Sequence, residues 1–66
     1  MAQNSKTENF LKVQKVVKNL DSDTFTNHDI VKLTNLNYEQ VKKYLQTMVD
    51  FEELKYSETT KIYMRL

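Results

Sequence analysis

The sequence predicts a small α+β domain with three helices, one short strand and a C-terminal β-hairpin, and three observations lead to this fold class. Apolar residues recur every three to four positions as far as Met48, which is the period of an amphipathic helix. After Leu54 they alternate with polar residues, which is the period of a half-buried strand. A residue that favours helix N-caps stands before each helical stretch, so three separate helices are predicted.

Size and composition limit the functions open to this chain of 66 residues. One domain is expected, with residues 1–5 as a frayed N-terminus and residues 6–66 as the folded part. There is no cysteine and only one histidine, His28, so we expect no disulfide, no metal site and no cofactor. Glycine is also absent, which excludes glycine-rich phosphate loops and leaves the turns to Asn, Asp, Ser or Thr.

The hydropathy and charge of the sequence indicate where the protein is located and which partners it can bind. No apolar run approaches the roughly 20 residues of a membrane span, and the first residues lack the apolar core of a secretory signal. We therefore expect no membrane association and, from the lack of cysteine, a cytoplasmic location. Ten Lys and Arg residues oppose nine Asp and Glu residues, for a formal charge of +1. Because nucleic-acid-binding proteins are usually strongly basic, the distribution of charge matters more here than its sum.

The first helix is predicted from about Lys6 to Leu20, with Ser5 and Glu8 at the spacing of a capping box. Its apolar stripe consists of Phe10, Val13, Val17 and Leu20, widened by Leu11 and Val16. Its other side carries Lys12, Lys15 and Lys18. Such a lysine row is either a solvated helix face or a set of phosphate contacts. Leu11 and Val16 make this stripe wide for one small core, so they are either core residues or a candidate dimer or partner surface.

A turn and a second, shorter helix follow. Asp21 and Asp23 are more typical of turn hydrogen bonding than of a metal site. The β-prone residues 24–26 are expected to form at most an edge pairing. Thr26, with Asp29 three positions later, matches another capping box. The inward side chains are predicted to be Ile30 and Leu33, with Val31 at the boundary and a left-handed turn at Asn35.

The third helix is predicted from Asn37, as its cap, to about Phe51 or Glu52, with Gln40 at the reciprocal capping position. Its inward stripe consists of Val41, Leu45 and Met48, with Tyr44 beside it. Its outward residues are Glu39, Lys42, Lys43, Gln46 and Asp50.

The C-terminal segment is predicted to be a hairpin with a loop at residues 57–60, longer than a tight two-residue turn because glycine is absent. The inner face is expected to hold Leu54, Tyr56, Ile62, Met64 and Leu66. The alternate positions, Lys55, Lys61, Tyr63 and Arg65, are expected to form one exposed basic and aromatic face.

This order of elements resembles the winged helix-turn-helix family. Residues 25–48 (FTNHDIVKLTNLNYEQVKKYLQTM) carry the resemblance: a capped helix, the apolar turn residue Leu36, a second cap, then Val41 and Leu45 four apart. Phe51 lies where such domains pass into the wing, and the likeness covers residues 8–66. The sequence departs from the family in lacking glycine at its turns and a run of arginines in its wing.

The resemblance implies that the third helix enters a major groove while the hairpin follows the phosphate backbone. The candidate contacts on the helix are Tyr38, Gln40, Lys42, Lys43 and Gln46. Those on the hairpin are Lys55, Lys61, Tyr63 and Arg65. Lys and Arg would contact phosphates, Gln would pair with adenine, and Tyr63 would stack on an unpaired base. The alternatives are an ordinary solvated helix face and charges that protect an edge strand.

Two functions follow from these predictions. The first is non-enzymatic binding of DNA, double- or single-stranded, in transcription regulation or in the replication of a mobile element or phage. The second is a docking role, either as an accessory subunit that helps a larger replication or transcription enzyme hold single-stranded DNA, or as a homodimer. An enzyme is disfavoured because His28, expected on the surface, has no readable nucleophile or acid beside it.

Overall fold

In the computed structural model, the backbone is described for residues 5–66 and the side chains from Glu8 onwards. These residues form α1 (Ser5–Lys18), β1 (Thr24–Phe25), α2 (Asn27–Thr34), α3 (Tyr38–Asp50), β2 (Leu54–Ser57) and β3 (Ile62–Arg65). The result is the predicted winged-helix layout, in which a helix-turn-helix (α2 and α3) precedes a hairpin, the wing (β2 and β3). The predicted fraying of the N-terminus and the capping contact of Ser5 lie outside the described residues and side chains.

The antiparallel sheet has the order β1-β3-β2, so the last strand in the sequence lies at its centre. β1 is two residues long and pairs Phe25 with Tyr63 of β3, which confirms the predicted edge pairing. On the other side of β3, Tyr56 also pairs with Tyr63, and Leu54 pairs with Arg65. Because directly opposed residues share a face, this register groups three aromatic rings in one row.

The core lies between the three helices and the inner face of the sheet. It consists of Val13, Val17, Phe25, Ile30, Val41, Leu45, Met48, Leu54 and Tyr63. The predicted inward stripe of α3 is confirmed in full, and that of α1 is confirmed with Phe10 and Leu20 half-buried at its margin. α1 ends two residues before the predicted Leu20 because its last turn tightens, with the Leu20 N–H donating to the carbonyl of Val17 at 3.4 Å.

The prediction that Leu33 faces inward is wrong, because its side chain is 57% exposed. The inner face of α2 instead passes through Asn27, Ile30 and Thr34, which lie three and four positions apart. The buried Thr34 hydroxyl has two hydrogen-bond partners. It donates to the Ile30 carbonyl at 2.7 Å and accepts from the Leu36 N–H at 3.3 Å. The polar Thr34 is therefore buried on the inner face of α2, where the sequence predicts the apolar Leu33.

Both internal helix caps agree with the sequence. The Thr26 hydroxyl accepts from the Asp29 N–H at 3.2 Å, and the Asp29 carboxylate accepts from the Thr26 N–H at 3.0 Å, which completes the predicted capping box. Asn37 Oδ1 accepts from the Gln40 N–H at 2.8 Å. α3 ends at Asp50, and Phe51 caps it. These caps fix where α2 and α3 begin, and so place their first residues on the surface.

Without glycine, three other residue types adopt positive φ. Asn35 does so between α2 and α3, at φ 61°, as predicted. The expectation that only Asn, Asp, Ser or Thr make the turns is wrong at Glu52 (φ 62°) and Lys61 (φ 63°). Their side chains are exposed and their backbones are held by hydrogen bonds, for example from the Lys61 N–H to the Ser57 carbonyl at 2.7 Å. These local hydrogen bonds help to offset a conformational cost of about 1–2 kcal/mol per residue.

The predicted inner face of β3 is wrong by one residue. Ser57 pairs with Ile62, so the loop has four residues, 58–61, and is longer than a tight turn, as predicted. This register places Tyr63 opposite Tyr56, inside, where it is only 5% exposed. Met64 lies on the outer face opposite Lys55, and Leu66 is exposed beyond the strand. Burying a tyrosine ring between two aromatic neighbours removes more apolar surface from water than burying Met64 would.

Candidate nucleic-acid interface

Two concave regions lie on different sides of the molecule. One, here called the wing cleft, has a volume of about 460 Å³ and is lined by Thr26, Asn27, His28, Tyr38, Lys42, Tyr56, Thr60, Lys61 and Tyr63. The other, here called the helical groove, has a volume of about 770 Å³ and is lined by Lys15, Val16, Asn19, Leu20, Asp21, Ser22, Thr24, Phe25, Asp29, Lys32 and Leu33. The wing cleft contains candidate contacts from both α3 and the wing.

The first residues of two helices form one wall of the wing cleft. The Thr26 cap starts α2, so Asn27 and His28 stand in its first turn, and the Asn37 cap starts α3 at Tyr38. The rings of His28 and Tyr38 meet at 5.1 Å between centroids with a tilt of 47°. The first residues of both helices thus border the cleft, and because the N-terminal end of a helix carries a partial positive charge, this wall favours an anionic ligand.

The sheet supplies the opposite wall as a row of aromatic side chains across its inner face. The Tyr56 and Tyr63 centroids are 4.5 Å apart, and Tyr63 stacks on Phe25 at 5.6 Å with an interplanar angle of 11°. Burial raises the pKa of the Tyr63 phenol, and the nearby Tyr56 and Tyr38 hydroxyls raise it further. The side chains of Tyr38, Tyr56 and Tyr63 therefore converge on the cleft.

Charge in the wing cleft differs from that of the chain as a whole. Lys42, from the second turn of α3, and Lys61, at the end of the wing loop, both line it, and no Asp or Glu of the described residues does. The helical groove, in contrast, is lined by two lysines and two aspartates: Lys15, Lys32, Asp21 and Asp29. A formal charge of only +1 is thus distributed unevenly, and the wing cleft is positive.

Four of the nine predicted nucleic-acid contacts come together in the wing cleft: Tyr38, Lys42, Lys61 and Tyr63. Lys43 and Gln46 lie outside it on the exposed face of α3, where Gln46 donates to Asp50 Oδ1 at 3.1 Å. Gln40 is half-buried near the N-terminus of the same helix, and its predicted reciprocal bond to the Asn37 N–H is not among the hydrogen bonds of the described residues. The predicted outward positions of Lys42, Lys43 and Gln46 are confirmed.

The prediction that Lys55, Lys61, Tyr63 and Arg65 share one exposed face is wrong. Tyr63 and Arg65 belong to the inner face, whereas Lys55 is on the outer face opposite Met64. A one-residue change in the phase of β3 moves every side chain of that strand to the other side. Of these four residues, Lys61 and Tyr63 line the wing cleft, and of these two Lys61 is exposed whereas Tyr63 is buried.

Arg65 uses its guanidinium inside the fold. Nη1 donates to the carbonyls of Val17 and Lys18 at 3.1 and 3.0 Å, at the C-terminus of α1, and Nη2 donates to Asp23 Oδ1 at 2.9 Å. A cation at this end of a helix satisfies carbonyls that lack intrahelical donors. Asp23 is thus a partner of Arg65, in line with the turn role expected for it. We therefore leave Arg65 out of the candidate interface.

Sequence reasoning missed five residues that line the wing cleft: Thr26, Asn27, His28, Tyr56 and Thr60. His28 is exposed, as expected, yet it borders the same cleft. The length of the loop was a usable signal, since a four-residue loop, whether at residues 57–60 or 58–61, places Tyr56 and Tyr63 on the same face of the hairpin. Asn27 gave no signal, because an asparagine at the first position of a helix is ordinarily exposed.

Leu11 and Val16, predicted to share one partner surface, lie in different places. Leu11 is 56% exposed on α1. Val16 is half-buried, packs against the core and lines the helical groove with Leu20 and Leu33. Five positions along a helix turn the side chain by about 140°, so the two residues do not share a face.

Residues 5–66 contain neither a metal-binding cluster nor a membrane-spanning helix. No cluster of three or more His, Cys, Asp or Glu side chains is arranged to bind a metal ion within this range. None of the helices described for the chain has the length and apolar character needed to cross a membrane. No protein-family model, curated protein or solved structure gives a significant match to this chain.

Proposed function

We propose that this chain is a non-enzymatic nucleic-acid-binding module that contacts DNA through the start of α3 and the wing. The observation that carries the proposal is the wing cleft, where Lys42 and Lys61 meet without a carboxylate among the described lining residues. Affinity for nucleic acid comes mainly from neutralising phosphate charges, and lysines at a concave surface provide this electrostatic contribution to binding. A cytoplasmic site of action, in transcription regulation or in replication of a mobile element or phage, belongs to the same proposal.

The proposed contacts divide by chemistry. Lys42 and Lys61 approach phosphates from two sides of the wing cleft, and the helix N-termini add N–H donors. Lys43 and Gln46, exposed along α3, extend the surface towards base edges. Membership of the winged helix-turn-helix family, which this layout supports, is part of the proposal.

A salt titration of DNA binding tests the proposal. We expect the double variant Lys42→Gln/Lys61→Gln to bind DNA more weakly and to reduce the slope of log affinity against log salt by about 2, since each phosphate contact on a duplex contributes about 0.9. The matched control, Lys15→Gln/Lys32→Gln, makes the same change in net charge at the helical groove and leaves the slope unchanged. Equal effects of the two double variants, or no binding of the parent protein at low salt, would refute the proposal.

A second candidate function is docking onto a larger replication or transcription protein, and the helical groove favours it. Most of the atomic surface inside the groove is apolar, although polar residues also line it, and Leu33, a leucine 57% exposed on α2, lines it together with Val16 and Leu20. Exposed apolar surface of this kind marks many protein contacts. This function predicts that a larger chain co-purifies with the protein, that Leu33→Gln abolishes the association, and that Lys42→Gln/Lys61→Gln does not.

A further inference from the structure

Asn27, which lines the wing cleft, has a buried side-chain amide oxygen without a hydrogen-bond partner among the described residues. The residue is only 7% exposed, and its Oδ1 atom finds no hydrogen-bond partner among the described residues. A buried acceptor without a partner costs about 1–3 kcal/mol. Its neighbours Thr26 and Asp29 use their polar atoms in the capping box, so the amide of Asn27 is not needed to start the helix. A buried amide oxygen without a partner, on a residue that lines an open cleft, is a candidate ligand contact.

The walls of the cleft suit a flat ring. Tyr38, which is 42% exposed, presents an accessible aromatic side chain, and the half-buried Tyr56 also lines the cleft. The volume of about 460 Å³ falls within the range of about 300–1,000 Å³ that is typical of small-molecule sites. In a duplex, a base is stacked and paired and does not enter a recess of this kind, whereas an unpaired base does.

We propose that the wing cleft accepts one unpaired nucleobase of a single-stranded nucleic acid, with the Asn27 amide hydrogen-bonded to the base edge, the base ring stacked on Tyr38, and the flanking phosphates bound by Lys42 and Lys61. This inference rests on the proposed function and narrows it to a single-stranded ligand.

The Asn27 amide matches the edges of nucleobases. Each base presents N–H donors beside ring nitrogen or carbonyl acceptors, and an amide offers one acceptor and two donors. Rotation about the terminal torsion of Asn27 exchanges its oxygen and nitrogen, so the same side chain meets a donor or an acceptor. Binding is therefore tolerant of base identity but dependent on a base being present, as is usual where stacking dominates.

Four DNA probes separate this inference from the proposed function: a single strand of about 12 nucleotides, a duplex of the same sequence, a strand of equal length with every base removed, and a deoxynucleoside monophosphate. We expect fluorescence anisotropy to show that the base-bearing strand binds at least about fivefold more tightly than both the baseless strand and the duplex. Binding of the monophosphate as tight as that of the strand would overturn the single-strand assignment.

The variant Asn27→Leu tests the amide itself. Leucine has a similar shape but cannot hydrogen-bond, so we expect the preference for the base-bearing over the baseless strand to fall to about twofold or less. The free energy of unfolding should stay the same or rise, because the orphaned acceptor is removed. Gln14→Leu, which removes a half-buried amide on α1 away from the cleft, should keep the full preference. An unchanged preference in Asn27→Leu would overturn the inference.

A measurement on the unaltered protein covers the case in which Asn27→Leu fails to fold. Addition of the base-bearing strand should shift the NMR signals of the Asn27 side-chain NH₂ group, and the baseless strand should not. Equal binding of all DNA strands with no such shift would overturn the inference and leave the proposed function intact. No binding of any strand at low salt would overturn both.

Discussion

The Arg65 guanidinium lies 2.9 Å from Asp23 Oδ1 and, through its other terminal nitrogen, within 3.1 Å of the last carbonyls of α1. The Arg65 N–H also donates to the Asp23 carbonyl at 2.8 Å. One residue of β3 thus joins the central strand to the end of the first helix and to the loop before β1. This arrangement ties the wing to the helical part of the fold, so the position of the wing cleft depends on it.

Removal of the Arg65 donors should destabilise the fold. We expect Arg65→Met to lower the free energy of unfolding by about 1–2 kcal/mol, because the Val17 and Lys18 carbonyls lose their donor at a helix C-terminus. Asp23→Asn should cost less than about 0.5 kcal/mol, since Asp23 is exposed and surface ion pairs contribute little. Urea unfolding measures both changes, and an equal loss in the two variants would assign the effect to the ion pair instead.

Two leucines, one buried and one exposed, should respond very differently to truncation. Leu45 is 0% exposed in the core, and Leu45→Ala should cost about 2–5 kcal/mol, a large part of the total stability of so small a domain. Leu33→Ala should change stability by less than about 0.5 kcal/mol, because its side chain remains largely in water. Thermal unfolding of the two variants measures the difference. A large loss in Leu33→Ala would contradict the exposed position of that side chain.

Glycine at a strained turn should stabilise the protein. Glu52 has φ 62°, and we expect Glu52→Gly to raise the free energy of unfolding by about 0.5–1 kcal/mol, since glycine reaches this conformation without steric cost. Glu53→Gly, at the neighbouring exposed position without positive φ, serves as the control and should be neutral or destabilising. Urea unfolding tests both. A loss of stability in Glu52→Gly would show that its backbone is not strained.

Stability should fall at high pH in a way that depends on Tyr63. Burial raises the pKa of this phenol in the folded state, so the folded protein holds the proton more tightly than the unfolded chain. The corresponding stabilisation is complete below the unfolded pKa of about 10 and is lost as pH rises from there through the raised folded pKa. In Tyr63→Phe, which has no phenol at this position, the free energy of unfolding should therefore fall less at alkaline pH than it does in the parent protein.

Urea unfolding at about pH 8 and about pH 11 measures this effect. The difference between the parent protein and Tyr63→Phe at the two pH values reports the contribution of the Tyr63 phenol. Tyr44→Phe, a change at a half-buried tyrosine of α3 outside the cleft, should retain the full alkaline loss. Identical pH profiles for the parent and Tyr63→Phe would contradict the prediction.

The helices were predictable because their signals are local. Capping by Thr26 and Asn37 depends on residues two or three positions away, and the stripe of Val41, Leu45 and Met48 follows from the period of one helix. The interface was only partly predictable. Lys42 and Lys43 were correctly placed on the outer face of α3, but the meeting of Lys42 with Lys61 depends on how the wing folds back.

The sequence by itself determined the order of elements, the helix boundaries to within two residues and the inner face of α3. Only the tertiary structure decided which face of β3 is buried, because an alternating strand is compatible with either phase until a partner strand fixes its register. Pairing with both Phe25 and Tyr56 made Tyr63 the inner residue and turned Arg65 towards α1. Asn27 is likewise buried without a sequence signal, since burial depends on long-range contacts that no local pattern records.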